Sequence, residues 1–201
     1  MHPGIKDTIS KMNEMGRKGM PFMFMIDYRM RNARIFSPAE LQDEGILIAT
    51  PGFRNFNDSK PLEGFRFEKN PISYQHYQEA FAKVMEAINR GDTFLLNLTF
   101  PTRLDTDLSL DWIIRACRAK YRLKFRDQFV VFSPEPFVIT HGNTISSFPM
   151  KGTMDASIMD AEFKLMNDIK EISEHNTIVD LIRNDLSMVA KKVRVERFRY
   201  I

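Results

Sequence analysis

The sequence predicts an α+β domain. Three observations carry that prediction: short apolar runs bounded by glycine and proline, strand-like runs joined by hairpin chemistry at His141-Gly-Asn, and longer segments with apolar residues at helical spacing. Strands that follow one another through tight turns argue against a doubly wound parallel sheet, in which each strand would be followed by a crossover helix.

Taken along the chain, residues 22–27 form a first apolar run after Gly19 and Pro21, and residues 46–50 form a second between Gly45 and Pro51. Both read as strands. From Pro51 to Pro71 the punctuation by Gly52, Asn57-Asp58, Pro61 and Gly64 is loop or linker chemistry, which places a boundary near residue 72. Beyond it, Tyr77, Phe81, Val84 and Ile88 recur at helical spacing, Ser73 can cap the start, and Gly91 can supply the left-handed residue that ends the helix. Residues 93–100 read as a strand stopped by Pro101. Trp112, Ile113, Ala116 and Cys117 mark a second helix, capped by Asp107 or Ser109. Strands follow at 129–133 and 137–140, and His141-Gly-Asn turns the chain into a strand over 144–148. Residues 159–189 contain neither glycine nor proline and read as one long helix, with Leu165, Ile169, Ile172, Val179 and Leu186 on a shared face. There is no internal repeat and no low-complexity tract.

Composition bounds the function. With 43% apolar residues in 201, the chain can bury a core. An excess of +3, from 29 basic and 26 acidic residues, is too small for a dedicated nucleic-acid binder. The single Cys117 excludes an internal disulfide framework and a cysteine-rich zinc site. No apolar run reaches the length of a membrane span, and the first residues lack the apolar stretch of a secretory signal. The expectation is a soluble, cytoplasmic protein without membrane or nucleic-acid partners.

Few residues could carry chemistry. Lys151 follows Pro149, which stiffens the approach, and precedes Gly152, which lets backbone come close to a ligand, and Thr153, which offers a hydroxyl. To attack an electrophile its amine must fall from a pKa of about 10.4 towards 7, on the order of 4 kcal/mol that burial would have to supply. The alternative is an ordinary surface lysine in a turn. Glu171 and Glu174 stand three apart, so their carboxylates are neighbours and repel unless something intervenes. They offer oxygen ligands of the sort Mg²⁺ accepts, or else a solvated helix face. His175 sits nearer the apolar stripe and makes no metal-ligand spacing with His2, His76 or His141, and Cys117 reads as core packing. Two basic clusters, 115–126 and 191–199, interleave cations with Tyr121, Phe125 and Phe198, a pattern that could track phosphates; the net charge of +3 favours amphipathic alternation with snorkelling stems instead.

Four blocks, in order, resemble the catalytic subunits of the chorismate-utilising enzymes, the aminodeoxychorismate synthase branch in particular. They are Tyr77-Gln-Glu-Ala-Phe with Ile88-Asn-Arg-Gly-Asp-Thr-Phe-Leu-Leu-Asn-Leu-Thr, Ser133-Pro-Glu-Pro-Phe, Pro149-Met-Lys-Gly-Thr, and Lys170-Glu-Ile-Ser-Glu-His-Asn-Thr-Ile-Val-Asp-Leu-Ile-Arg-Asn-Asp-Leu. The resemblance covers roughly residues 73–201. It implies a fold of antiparallel sheets packed face to face with helices outside, and displacement at the chorismate ring assisted by Mg²⁺. It further implies that Lys151 attacks the ring covalently before ammonia adds, that Gly152 and Thr153 approach the substrate, and that Glu171 and Glu174 hold or surround the metal. Anthranilate synthases usually carry alanine where Lys151 stands, so the lysine tilts the resemblance towards amination, with ammonia from a glutamine amidotransferase subunit.

Departures accompany the matches. Pro136 replaces the arginine of the family's usual Ser-Pro-Glu-Arg-Phe, no arginine follows Thr153 in Met154-Asp-Ala-Ser, and residues 1–72 carry no matching motif. The family's catalytic histidine, second glutamate set and glycine-rich segment would lie beyond Ile201. The expectation is therefore lead-in strands and linker over 1–72 and the amino-terminal half of a catalytic domain over 73–201. Such a piece would have little activity alone, and its exposed edges would favour homo-oligomers. An anthranilate synthase is the alternative within the family, and a non-catalytic scaffold for the amidotransferase is the alternative of another class.

Overall fold

The computed structural model of the chain describes residues 3–60, 63–94, 96–134, 136–150 and 152–201. Contacts divide the chain into two compact units, the first ending at Ser133 and the second running from Pro134 to Ile201.

The first unit begins with α1 (Pro3–Arg17), which lies along β2 and buries Ile5 and Met15. β1 (Met23–Ile26) and β2 (Ala33–Phe36) form an antiparallel hairpin in the register Met23↔Phe36 to Ile26↔Ala33. Its turn is closed by the Asp27 carboxylate, which accepts from the Arg31 and Asn32 backbone N–H groups at 2.8 and 3.1 Å. There follow α2 (Glu40–Asp43), β3 (Ile46–Thr50), β4 (Phe53–Arg54), β5 (Phe67–Asn70), α3 (Tyr74–Arg90), β6 (Arg103–Thr106), α4 (Leu110–Ala116), β7 (Arg122–Phe125) and β8 (Phe129–Phe132).

Four of these strands form an antiparallel sheet in the order β4-β3-β7-β8. Side chains alternate across a pleat, and here both faces are used. Ile46, Ile48, Leu123 and Phe125 point one way and pack against Met23, Met25 and Phe36 of the β1–β2 hairpin, with Leu41 of α2 closing the cluster. Leu47, Ala49 and Val130 point the other way, against Ile114 of α4 and Phe56. Antiparallel sheets thus pack face to face, with α1 against the hairpin and α4 over the far face, and the α+β class is the one the sequence predicts.

Arg122 is carried on the α4 face of that sheet and is only 3% exposed. Its Nη1 lies 2.9 Å from Asp58 Oδ1, 2.6 Å from the Cys117 carbonyl and 3.2 Å from the Ile114 carbonyl, and its guanidinium sits 5.0 Å from the Phe56 ring centroid. One cation therefore satisfies the carbonyl end of α4 and pairs with an acid at once. The Asp58 carboxyl is held below its ordinary value by the Arg122 hydrogen bond, with Arg54 adding to it.

α3 keeps the boundaries its sequence signals. Ser73 Oγ accepts from the His76 N–H at 3.2 Å, and Gly91 ends the helix at φ 82°. None of its residues is buried, and Tyr77 stacks on Phe81 at 6.0 Å. For α4 the cap is Ser109, whose Oγ accepts from Trp112 N–H at 3.1 Å, while Asp107 accepts from the Arg66 N–H. The strand expected over 93–100 is absent from its described residues; β6 forms later, past Pro101, and pairs with β5 inside the segment read as loop.

In the second unit, β9 (Ile139–His141) and β10 (Thr144–Ser146) pair antiparallel through a turn with Gly142 at φ 55°. The long helix expected over 159–189 is two helices, α5 (Ala161–Asn167) and α6 (Ile169–Ser187). Asp168 breaks them: its backbone is extended at φ −69°, ψ 117°, and its Oδ1 accepts the Glu171 N–H at 3.0 Å, which starts α6 afresh. Near the end of the chain, the Arg199 guanidinium donates to the Leu165 and Met166 carbonyls at 3.0 and 2.7 Å, capping α5 with a cation.

Candidate functional site

The second unit brings Gly152 of the Lys-Gly-Thr segment against the helix that carries the glutamate pair. Gly152 has φ +80°, in the left-handed region, and a β-carbon added to it would lie 2.8 Å from Glu171 Oε2, 3.0 Å from Leu165 Cδ1 and 3.2 Å from Glu171 Cδ. Glycine is needed twice over, for backbone angle and for space. The break at Asp168 makes this possible. On one continuous helix the glutamates would face well away from the Leu165 stripe, yet the restart of α6 lets Leu165 and Glu171 meet the same glycine. Thr153 is exposed, and Lys151 lies outside the described residues.

Glu171 and Glu174 converge on a single positive charge. Lys170 Nζ stands 3.1 Å from Glu171 Oε1 and 3.2 Å from Glu174 Oε1, and these hydrogen bonds, the one to Glu171 foremost, raise the lysine above its ordinary value. The carboxylates are the sheltered partners, with side chains 18% and 31% exposed, while the Lys170 side chain is 71% exposed. Something does intervene between the two acids, and it is an ammonium from their own helix. Sequence reasoning passed over Lys170, although its i, i+4 relation to Glu174 was a visible signal. It also passed over Arg199, which was counted only as part of a basic cluster.

This donor set fits a hard divalent cation. Two carboxylate oxygens already meet at one point occupied by a cationic group, the ligand chemistry Mg²⁺ takes, with water or substrate oxygens completing its shell. Among the described residues no cluster of three or more His, Cys, Asp or Glu side chains is placed to hold a metal, so the pair would act as part of a coordination sphere.

His175 stacks edge-on against Phe198 at 5.2 Å, and burial there, with Arg199 adding to it, lowers its pKa. The cations of the basic clusters are largely committed within the fold. Arg115 pairs with Asp111 at 2.7 Å, Arg118 and Arg122 with Asp58, Arg126 with Glu44, Arg194 with Glu196 at 2.6 Å, and Arg197 lies over Tyr200. No helix among the described residues is long and apolar enough to cross a membrane.

Comparison with known proteins places these features in context. The model of the family described as chorismate binding enzyme matches residues 24–201. An uncharacterized PabA-like protein of Pasteurella multocida is 43% identical over 195 residues, covering 96% of this chain and 60% of that protein. Anthranilate synthase component 1 of Lactococcus lactis is 32% identical over 167 residues, or 72% of this chain and 36% of that protein. Aminodeoxychorismate synthase component 1 of Escherichia coli is 30% identical over 131 residues, or 59% and 29%. The chain thus spans about 60% of the length of the PabA-like relative. No solved structure gives a significant match. With a family model matching residues 24–201 and a relative 43% identical over 96% of its length, the chain belongs to the chorismate binding enzyme family.

Proposed function

We propose that the protein acts in the amination of chorismate to aminodeoxychorismate, with ammonia delivered by a glutamine amidotransferase subunit in the cytoplasm. The observation that carries the reading is the seating of Gly152 against Glu171, because it sets the residue that follows Lys151 in the sequence beside a carboxylate expected to hold Mg²⁺. The similarity to an aminodeoxychorismate synthase component 1 supports it.

In this reading the Lys151 amine forms a bond to a ring carbon as the ring hydroxyl leaves as water. Ammonia then forms the new carbon–nitrogen bond, and the lysine–carbon bond breaks to return the free amine. Dividing one displacement into two lowers the barrier to each. Glu171 and Glu174 would hold Mg²⁺, which when bound supplies Lewis-acid stabilisation of developing charge. Gly152 lets the backbone approach the substrate, and the Thr153 hydroxyl, exposed in the structure, is available to hydrogen-bond a substrate carboxylate.

A second reading, anthranilate formation, draws on the similarity to anthranilate synthases component 1. Product identity separates the two. A version extended to the length of the PabA-like relative, incubated with chorismate, Mg²⁺ and ammonia, is expected to yield aminodeoxychorismate and a covalent adduct seen by intact mass, and Lys151→Ala in it is expected to lose the adduct. Anthranilate as the product, or an adduct that survives Lys151→Ala, would overturn the proposal.

A further inference from the structure

We propose that Lys170 is a displaceable internal counter-ion: its ammonium keeps the Glu171 and Glu174 carboxylates converged while no metal is present, and gives up its place when a divalent cation binds. The inference rests on the reading of those two glutamates as metal ligands and assigns a role to a third residue.

The geometry separates a fixed part from a mobile one. Glu171 is fixed in the first turn of α6 by the Asp168 bond to its backbone N–H, and its Oε2 sits close against Gly152. Its Oε1 is the oxygen left to face Lys170. Glu174 is one turn further along the same helix and turns its own Oε1 to the same nitrogen. Lys170, by contrast, reaches the pair from outside on a flexible four-carbon stem that is mostly in solvent. The carboxylates can stay where they are while the ammonium moves.

Charge decides the direction of exchange. Two carboxylates three residues apart repel, so with no cation between them they would turn away from each other. A single ammonium relieves that repulsion, but ion pairs made by an exposed lysine are weak and easily given up to solvent. A divalent cation brings twice the charge to the same two oxygens at shorter range. Lys170 therefore preorganises the pair at a small cost in metal affinity, because it must be expelled. An arginine would pair more rigidly through its planar fork and would be harder to expel.

The test compares the wild-type chain with Lys170→Ala, Lys170→Arg and Glu174→Gln, all at exposed or half-exposed helix positions. Mg²⁺ affinity is read by calorimetry, and the rate of reductive methylation at Lys170 is read by mass spectrometry with MgCl₂ or with KCl of matched ionic strength. Lys170→Ala is expected to bind Mg²⁺ roughly three- to tenfold more tightly, the loss of two exposed ion pairs as competitors, and Lys170→Arg more weakly than wild type. Methylation of Lys170 is expected to speed up with Mg²⁺ beyond the effect of KCl. Equal or weaker binding by Lys170→Ala, or a methylation rate that Mg²⁺ leaves unchanged, overturns the proposal while the metal assignment stands. Mg²⁺ binding that is absent from wild type, or that persists undiminished in Glu174→Gln, overturns the metal assignment and this proposal together.

Discussion

At the scale of single residues, Gly152 is the position where the site is least tolerant. Its left-handed backbone alone makes an L side chain cost about 1–2 kcal/mol, and the atom a β-carbon would meet first is a carboxylate oxygen of Glu171. Gly152→Ala is therefore expected to lower stability by about that amount and also to push Glu171 off its position. Thermal unfolding reads the first effect and Mg²⁺ titration the second. An alanine variant that keeps wild-type metal affinity would separate the glycine from the site. The sequence suggested that Gly152 lets backbone come close to a ligand; the close neighbours in the structure are Glu171 and Leu165 of the same chain, which the sequence did not indicate. Which atom comes close depends on where the helix restarts, and no local pattern around residue 152 records that.

At the scale of elements, Asp168 is the residue that gives α6 its beginning. It accepts the Glu171 N–H at 3.0 Å, so the cap and the candidate ligand are joined through one backbone bond. Asp168→Ala is expected to cost about 1 kcal/mol in global stability and to speed amide exchange at Glu171 more than at Asp180, deeper in the same helix. Equal exchange at both amides would show that the cap does not hold the first turn. The break escaped the sequence reading because it uses neither glycine nor proline. An aspartate within an apolar-periodic run reads as a polar face until its side chain is seen to take over a backbone donor. α3 was legible for the opposite reason, since Ser73 and Gly91 each act on their own helix end. β5 and β6 were missed because they are almost wholly solvent-facing and lack the alternation that marks a half-buried strand. α1 was missed although Ile5, Ile9, Met12 and Met15 recur at helical spacing; Ile5 and Met15 are buried, and the helix packs against β2.

At the scale of the whole molecule, the α+β class and the antiparallel pairing were readable because β3, β8 and the β9–β10 turn carry strong local signals. What layers on what was not, because the face that each strand presents is chosen by partners distant in sequence. The first unit also leaves a stripe on α3 uncovered, with Tyr77, Phe81 and Met85 all exposed. Since that helix buries none of its residues, Phe81→Lys is expected to change the stability of the unit by no more than about 0.5 kcal/mol while reducing the binding of an apolar dye. A loss well beyond that, measured by denaturant unfolding, would mean that α3 is docked more firmly than its exposure indicates.

Arg122 gives the first unit an asymmetry towards acid and alkali. A guanidinium keeps its charge at any pH a protein meets, so alkali does not unfasten the junction of β7, α4 and the loop at Asp58 by neutralising it. The acid side differs: Asp58 is held below its ordinary 3.8, so the attraction it contributes is intact above that value and fades as the solution is acidified through the lower, folded one. The fold thus places its one vulnerable proton acceptor at that joint far from neutrality, and a lysine in place of Arg122, with a single titratable nitrogen, would surrender that tolerance from the alkaline end.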